Sequence, residues 1–350
     1  VVVALGVAMA GGAHPDADST ATLQAQFDAV PAGGLLELSP QMYSHSGVLK
    51  LRVPNVRIDG NGATLHATND ATSALQILAD GVQLTNLTLT AGTEGKRWSD
   101  IDQHKVVISG NGDTISNVSI TGSAAAGVFV YRARDFRIDD VTITGTRADG
   151  VHVTGGSSNG VIDNVRTAAT GDDGVAVVSY RNDGAPCDGV QISRVNVAST
   201  RWGRGISVVG GRNISLRDFQ VANTNAAGIY VATEGDPYFT HSVESVSISG
   251  GTVTGANTNS DVVQGAILIT SENAGEAVRG VQISDVAIAA TPGVAQRDVG
   301  VIAEAGSVES VTLDHIDIRG SAVPPLYSDV PGGSLTVSGW TQDGNPISVD

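Results

Sequence analysis

The chain has one cysteine in 350 residues, Cys187, so no internal disulfide can staple the fold. It lies in the loop Ala185-Pro186-Cys187-Asp188 without metal-ligand spacing around it, and reads as incidental. Aromatics are scarce at 4% and charged residues make up only 16%, yet 41% of the chain is apolar, enough to build a core. Basic residues are the rarer charge: 20 Lys and Arg stand against 36 Asp and Glu, a formal net charge of −16. Nothing resembles a basic stripe, which excludes general binding to nucleic acid or anionic membranes and disfavours long-range capture of a polyanion. No apolar run is long enough to span a bilayer. Plentiful glycine (44) with Val, Ile, Thr, Ser and Asn describes strands and tight turns rather than helices.

What the chain does have is a repeat. Gly-aliphatic-x-aliphatic strands start at Gly127, Gly150, Gly174, Gly205 and Gly228, successive starts differing by 23, 24, 31 and 23 residues. Weaker copies begin at Lys105, Gly265 and Gly300. An interleaved aliphatic-x-[Asn/Asp]-aliphatic motif falls at Asn86, Asn117, Asp140, Asn164, Asp218 and Asp285, with Arg194 substituting once. A period near 23 is too short for a strand–helix–strand unit, which needs about 30 residues, and fits one coil of three short strands. Asn and Asp tolerate left-handed backbone at a tight turn and, stacked on neighbouring coils, can hydrogen-bond as a ladder.

The expectation is therefore an all-β, single right-handed parallel β-helix of about ten coils, one domain over residues 14–350. A helix from Ser19 to Val30 should cap one end, with Ser19 or Thr20 as N-cap and Leu23, Phe27 and Val30 on the buried face. At the other end Pro324-Pro325 breaks the pattern, and the remainder covers the last coil. Residues 1–13 are apolar and uncharged up to an Ala-x-Ala pattern, reading as the tail of a secretory signal or as a first strand; the former implies a secreted protein. Insertions at residues 91–105, 180–188, 233–243, 258–264 and 272–279 must project as loops, which in repeat proteins gather on the binding face. Trp98, Trp202, Glu234, Tyr238 and Phe239 sit in or near them.

Ionisable groups converge in one place. The residue before each strand glycine reads Ala126, Asp149, Asp173, Arg204, Ala227, Gln264, and the residue two after reads Phe129, His152, Ala176, Ser207, Tyr230, Ile267. Parallel neighbours lie about 4.8 Å apart, so Asp149, Asp173 and Arg204 form a stack flanked by Asp172, His152 and Tyr230. Carboxylates this close cannot all ionise cheaply, which yields a general acid beside an ionised base, the pairing glycoside hydrolysis needs. Strict alternation would bury the aspartates. A positive φ at the glycine is the expected means of turning them outward.

At these residues the chain resembles the polygalacturonase-type glycoside hydrolases, which are right-handed parallel β-helices. Ala148-Asp149-Gly150-Val151 looks like the first of that family's motifs, and Gly171-Asp172-Asp173-Gly174-Val175 matches the second. Arg204 stands where the third has its histidine, and Gly228-Ile229-Tyr230 lacks the basic pair of the fourth. The resemblance implies an inverting hydrolysis of a polysaccharide with Asp173 as acid and Asp149 and Asp172 positioning water, without a cofactor, whereas the close stacking of the carboxylates by itself points to the shorter, retaining separation. His152, Arg204, Tyr230, Glu234, Trp202 and Trp98 would contact the sugar. The missing basic pair makes a neutral glycan, as for the related dextranase-like hydrolases, as good a substrate as galacturonate. Mannuronan epimerases and polysaccharide lyases share the scaffold. In that reading Arg204 would neutralise a uronate carboxylate, His152 or Tyr230 would move the proton, and a lyase could draw on the three aspartates for calcium. A glycan-binding surface protein without catalysis is the third class.

Overall fold

The computed structural model describes residues 17–349. The reading of residues 1–13 as signal or strand lies outside that range. Eleven short strands, from Leu49–Leu51 to Leu326–Ser328, stack in parallel into one face, one strand per coil. The remaining strands form a second, larger sheet that supplies the other sides of each coil. Its longer members, such as Thr114–Ser123 and Arg137–Thr146, bend within the strand.

The bends fall on the Asn/Asp column. Asn86, Asn117, Asp140, Asn164, Arg194, Asp218 and Asp285 all have φ between 51° and 57°, left-handed as the repeat requires. Their side chains form the expected ladder in part: Asn117 Nδ2 donates to Asn86 Oδ1 at 2.7 Å, and Asn164 Nδ2 to Asp140 Oδ1 at 3.1 Å. Inside the coils, Val128, Val151, Val175, Ile206, Ile229 and Ile267 lie in register and are at most 1% exposed. Each such side chain contributes about 1.5–3 kcal/mol through burial.

The strand glycines serve a different purpose from the one expected. Neither Gly150 nor Gly174 has a positive φ; a Cβ at Gly150 would meet Gly174 O at 2.4 Å and Thr167 at 2.8 Å, and one at Gly174 would meet Val197 at 2.6 Å. The glycine is a corner where adjacent coils and the opposite sheet leave no room for a side chain. The preceding turn, rather than the glycine, presents the aspartates.

One stretch of register also needs correction. Ile229 pairs with Ile267 and Tyr230 with Leu268, so Ala266 takes the strand-start place and Gln264 and Ile267 are each one residue out of the columns given above. Gly265 instead has φ 84° and closes the preceding loop. Likewise Gly300 pairs with Leu268 in the outward column rather than starting its strand.

Both ends are covered. The helix Thr20–Ala29 buries Leu23 and Phe27 against the first coil, with Val30 just beyond it. Its cap comes from Asp18 rather than Ser19: Asp18 Oδ1 accepts from Thr20 N at 2.9 Å, while Ser19 makes no side-chain cap. At the far end the coil continues past the prolines. Pro324 O and Pro325 O accept from Asp298 N and Val299 N at 2.9 and 3.1 Å, and on the last coil no further strand asks them for an N–H. Trp340, 2% exposed, closes the core, and its indole donates to Leu313 O at 3.2 Å.

Candidate active site

Outside the eleven-stranded face, Phe129, His152, Ala176, Ser207, Tyr230 and Leu268 lie in one row along the coil axis. Loops rise on both sides of that floor. Before the strands stand Arg97, Trp202 and Gln264; after them stand Tyr180, Glu234 and Tyr238. The space between is a cleft of about 260 Å³. Four of the five insertions therefore reach one groove, and the fifth supplies Glu272, which accepts from the Tyr230 hydroxyl at 3.2 Å.

The three aspartates meet at its base, with oxygens within 4.8 Å of one another. They are 4–8% exposed, so they line the cleft while being largely removed from bulk water, contrary to the exposure expected of them. Donors compensate. Asp149 accepts from His152 Nδ1 at 2.9 Å and from Asp173 N at 3.0 Å. Asp173 accepts from Arg204 N at 2.6 Å and from the Ser207 hydroxyl at 2.5 Å. Asp172 is ion-paired with Arg97.

These surroundings separate the carboxyls. Burial works to raise Asp149, but His152 and Arg97 outweigh it and hold the group below the usual carboxylate range. Burial, together with the charges of Asp149 and Asp173, pushes Asp172 up to about 8 despite Arg97. At neutral pH Asp172 thus holds a proton beside an ionised Asp149.

The other expected residues divide. His152, Trp202, Arg204 and Glu234 line the cleft, with Trp202 59% exposed. Tyr230 is 1% exposed beneath Arg204, whose guanidinium lies 4.1 Å from the ring centroid; Tyr230 is floor rather than contact surface. Trp98 lies under the Lys96 ammonium, 3.5 Å from its ring centroid, apart from the cleft lining. Its neighbour Arg97 is the residue that reaches the aspartates, and sequence reasoning passed over it. Arg147 explains how the loop is aimed: its buried guanidinium donates to Gly92 O at 3.1 Å and Lys96 O at 3.3 Å, two residues before Asp149. Tyr180, whose ring centroid lies 6.4 Å from that of His152, was also passed over.

Three carboxylates could begin a calcium shell, which takes six to eight oxygens. Here the Arg97 guanidinium already pairs with Asp172, so the donor set suits proton transfer better than a resident divalent cation.

A family described as "Right handed beta helix region" matches residues 104–267. The fold is a right-handed parallel β-helix. Among solved structures, the catalytic domain of a GH87 alpha-1,3-glucanase in complex with tetrasaccharides, an aspartate-to-alanine variant, is similar at 17% identity. The match covers 88% of this chain and 64% of that one with a TM-score of 0.69. The catalytic unit of the thermostable GH87 alpha-1,3-glucanase from Streptomyces thermodiastaticus strain HF3-3 matches at 20% identity, 95% and 68% coverage and a TM-score of 0.69. The A-module of the mannuronan C-5 epimerase AlgE4 from Azotobacter vinelandii matches at 14% identity, 92% and 98% coverage and a TM-score of 0.64. This chain thus spans just under two thirds of the first glucanase domain. At these identities the likeness is one of fold. No curated protein matches the sequence. The glucanase structures include single alanine variants at three aspartates, two of them adjacent and the third 23 residues earlier. Asp149, Asp172 and Asp173 have that spacing.

Proposed function

We propose that this chain is a glycoside hydrolase that cleaves a neutral, α-linked glucan in the cleft. The observation that carries the reading is the aspartate cluster, an ionised carboxylate beside a protonated one, with the spacing of the aspartates altered in the α-1,3-glucanase structures. Asp172 donates its proton to the leaving glycosidic oxygen while Asp149, oriented by His152, takes a proton from the attacking water. Asp173 positions this pair. Both its oxygens accept hydrogen bonds, from Arg204 N and Ser207, which fits an acceptor better than the acid role the polygalacturonase resemblance implies for it. Exposed Trp202 and Tyr238 on facing walls offer ring faces to the sugar.

The deciding experiment incubates the protein with neutral α-glucans and with uronate polymers, following reducing ends and near-ultraviolet absorbance together. Reducing ends from a neutral glucan without absorbance, lost in Asp149→Asn, is the expected result. Absorbance from a uronate polymer, or a change in its C5 configuration without chain cleavage, would replace the hydrolase with a lyase or an epimerase. The latter reading draws on His152 and Tyr180 beside the aspartates and on the match over 98% of the epimerase module.

A further inference from the structure

The cleft holds two guanidiniums, and each already has a carboxylate. Arg97 is paired with Asp172. Arg204 Nη2 lies 3.0 Å from Glu234 Oε1, with side-chain exposures of only 22% and 14%. The Arg204 guanidinium is sandwiched from below by Tyr230, which Glu272 fixes through the phenol hydroxyl. Arg204 also belongs to the catalytic floor, since its backbone N–H donates to Asp173. A sugar ring seated beyond the aspartates thus lies next to this pair.

Glu234 is no part of the coil repeat. It comes from the insertion at 233–243 and is held by its own backbone, N–H to Thr240 Oγ1 at 2.8 Å and C=O accepting from Thr240 N at 2.9 Å. A loop built in this way delivers one carboxylate to one buried guanidinium. Four carboxyl groups, Asp149, Asp172, Asp173 and Glu234, of which Asp172 carries a proton at neutral pH, then outnumber the two arginines around the cleft. An acidic sugar would have to displace Glu234 from Arg204 or enter against that excess, and specificity of this kind is made by repulsion as much as by attraction.

We propose that Glu234 determines substrate charge: by occupying Arg204 it reserves the cleft for uncharged sugar rings and turns away uronates. The proposal rests on the hydrolase reading only in taking this cleft as the sugar site. Glu234 acts through Arg204 and is a positioning residue. Removing its charge frees a guanidinium in a partly desolvated site, where a uronate carboxylate can replace it.

The test measures equilibrium binding by calorimetry, in the Asp149→Asn background so that nothing is turned over. The probes are an α-1,3-linked gluco-oligosaccharide and an oligogalacturonate of equal length. With Glu234 intact the uronate should bind at least tenfold more weakly than the neutral sugar. Glu234→Gln should shift the ratio toward the uronate by tenfold or more, and the gain should vanish when Arg204→Gln is added or salt is raised. Glu234→Ala guards against an amide that keeps the old contact. A purely structural role would weaken both sugars alike and leave the ratio unmoved. An unchanged ratio in both well-folded variants, equal binding of the two sugars with Glu234 intact, or no binding of either sugar overturns the proposal. Cleavage by the unsubstituted protein without the shift refutes the role of Glu234 alone, whereas the shift without any cleavage refutes the hydrolase alone.

Discussion

Asn and Asp side chains stack on successive coils in two places in this molecule, a long column at the bends and a short cluster at the strand starts, and the two differ in how their hydrogen bonds close. At the bends, Asn117 donates to Asn86 and Asn164 to Asp140, so neighbouring coils supply one another with donor and acceptor at the exposed surface. At the strand starts, Asp149, Asp172 and Asp173 offer acceptors only, buried and within 4.8 Å of each other. Their donors must be imported: His152 and Ser207 from the floor, Arg97 from a loop. The same residue type in the same repeat is thus self-satisfied in one column and frustrated in the other. Frustration of this sort is where perturbed proton affinities, and hence acid–base chemistry, arise.

The comparison breaks most visibly at Asp149. Asp149→Asn should lower glucan cleavage by about 10²–10⁴-fold, the usual loss for a general base, and should also lower the melting temperature at neutral pH, because the folded site favours the ionised carboxylate. Asp140→Asn in the bend column should leave turnover unchanged. Equal losses in the two variants would remove the distinction.

The second effect is a pH dependence. Asp172 is raised from 3.8 to about 8 in the folded protein, so its protonated form is favoured by folding. Its contribution to stability is complete below about pH 4 and declines as pH rises through about 8. Lys105, pushed down to about 7 by burial, has the opposite slope above neutrality, so the informative quantity is the difference between unsubstituted protein and Asp172→Asn. From pH 4 to pH 8 the melting temperature of the unsubstituted protein should fall relative to that of Asp172→Asn, whose amide stays neutral, and cleavage should fall above about pH 8 as the acid loses its proton. A difference independent of pH would place the proton elsewhere.

The frustrated column was legible in sequence because Gly150 and Gly174 mark identical corners, which fixes Asp149 and Asp173 one coil apart. The bend column was legible for the same reason, each left-handed residue standing at a fixed offset. Legibility ended where the repeat did. After the insertion at 258–264 the strand restarts at Ala266, and indexing on Gly265 slipped by one because that glycine serves its loop. Arg97 has no periodic neighbour at all; its position depends on Arg147 reaching two loop carbonyls, a long-range contact that no spacing announces. The corner glycines were found correctly for an incorrect reason, since crowding by Thr167 and Val197, rather than φ, forbids a side chain there.

The bend column can itself be divided into backbone and ladder. Asn117→Gly keeps the left-handed backbone and loses the bond to Asn86, for a cost of about 0.5–1.5 kcal/mol. Asn117→Ala loses the bond and also places a Cβ at φ 51°, adding about 1–2 kcal/mol. Denaturant unfolding of the pair separates the two contributions; equal destabilisation would mean that the ladder bond carries all of it.

Arg194 is where the bend column departs from its own chemistry, and it supplies the smallest effect. Its φ of 51° is the same as that of Asn117 and Asn164, but an arginine cannot ease the left-handed strain with a short local hydrogen bond. What it has instead is an ion pair with Asp163, made by a side chain 61% exposed. Asp163 itself is only 12% exposed, but it keeps Arg137 at 3.6 Å as a second cation, so the pair with the exposed arginine contributes about 0–1 kcal/mol. Asp163 also keeps Ser193 as a donor at 2.7 Å, so it is not stranded when the arginine goes. Arg194→Asn should therefore be stabilising by about 0.5 kcal/mol, backbone relief slightly outweighing the lost pair. Raising the salt should enlarge the gain, because screening weakens the pair in the unsubstituted protein and leaves the backbone strain untouched. Destabilisation at every salt concentration would show that the column tolerates arginine for its charge, and that Asp163 depends on it.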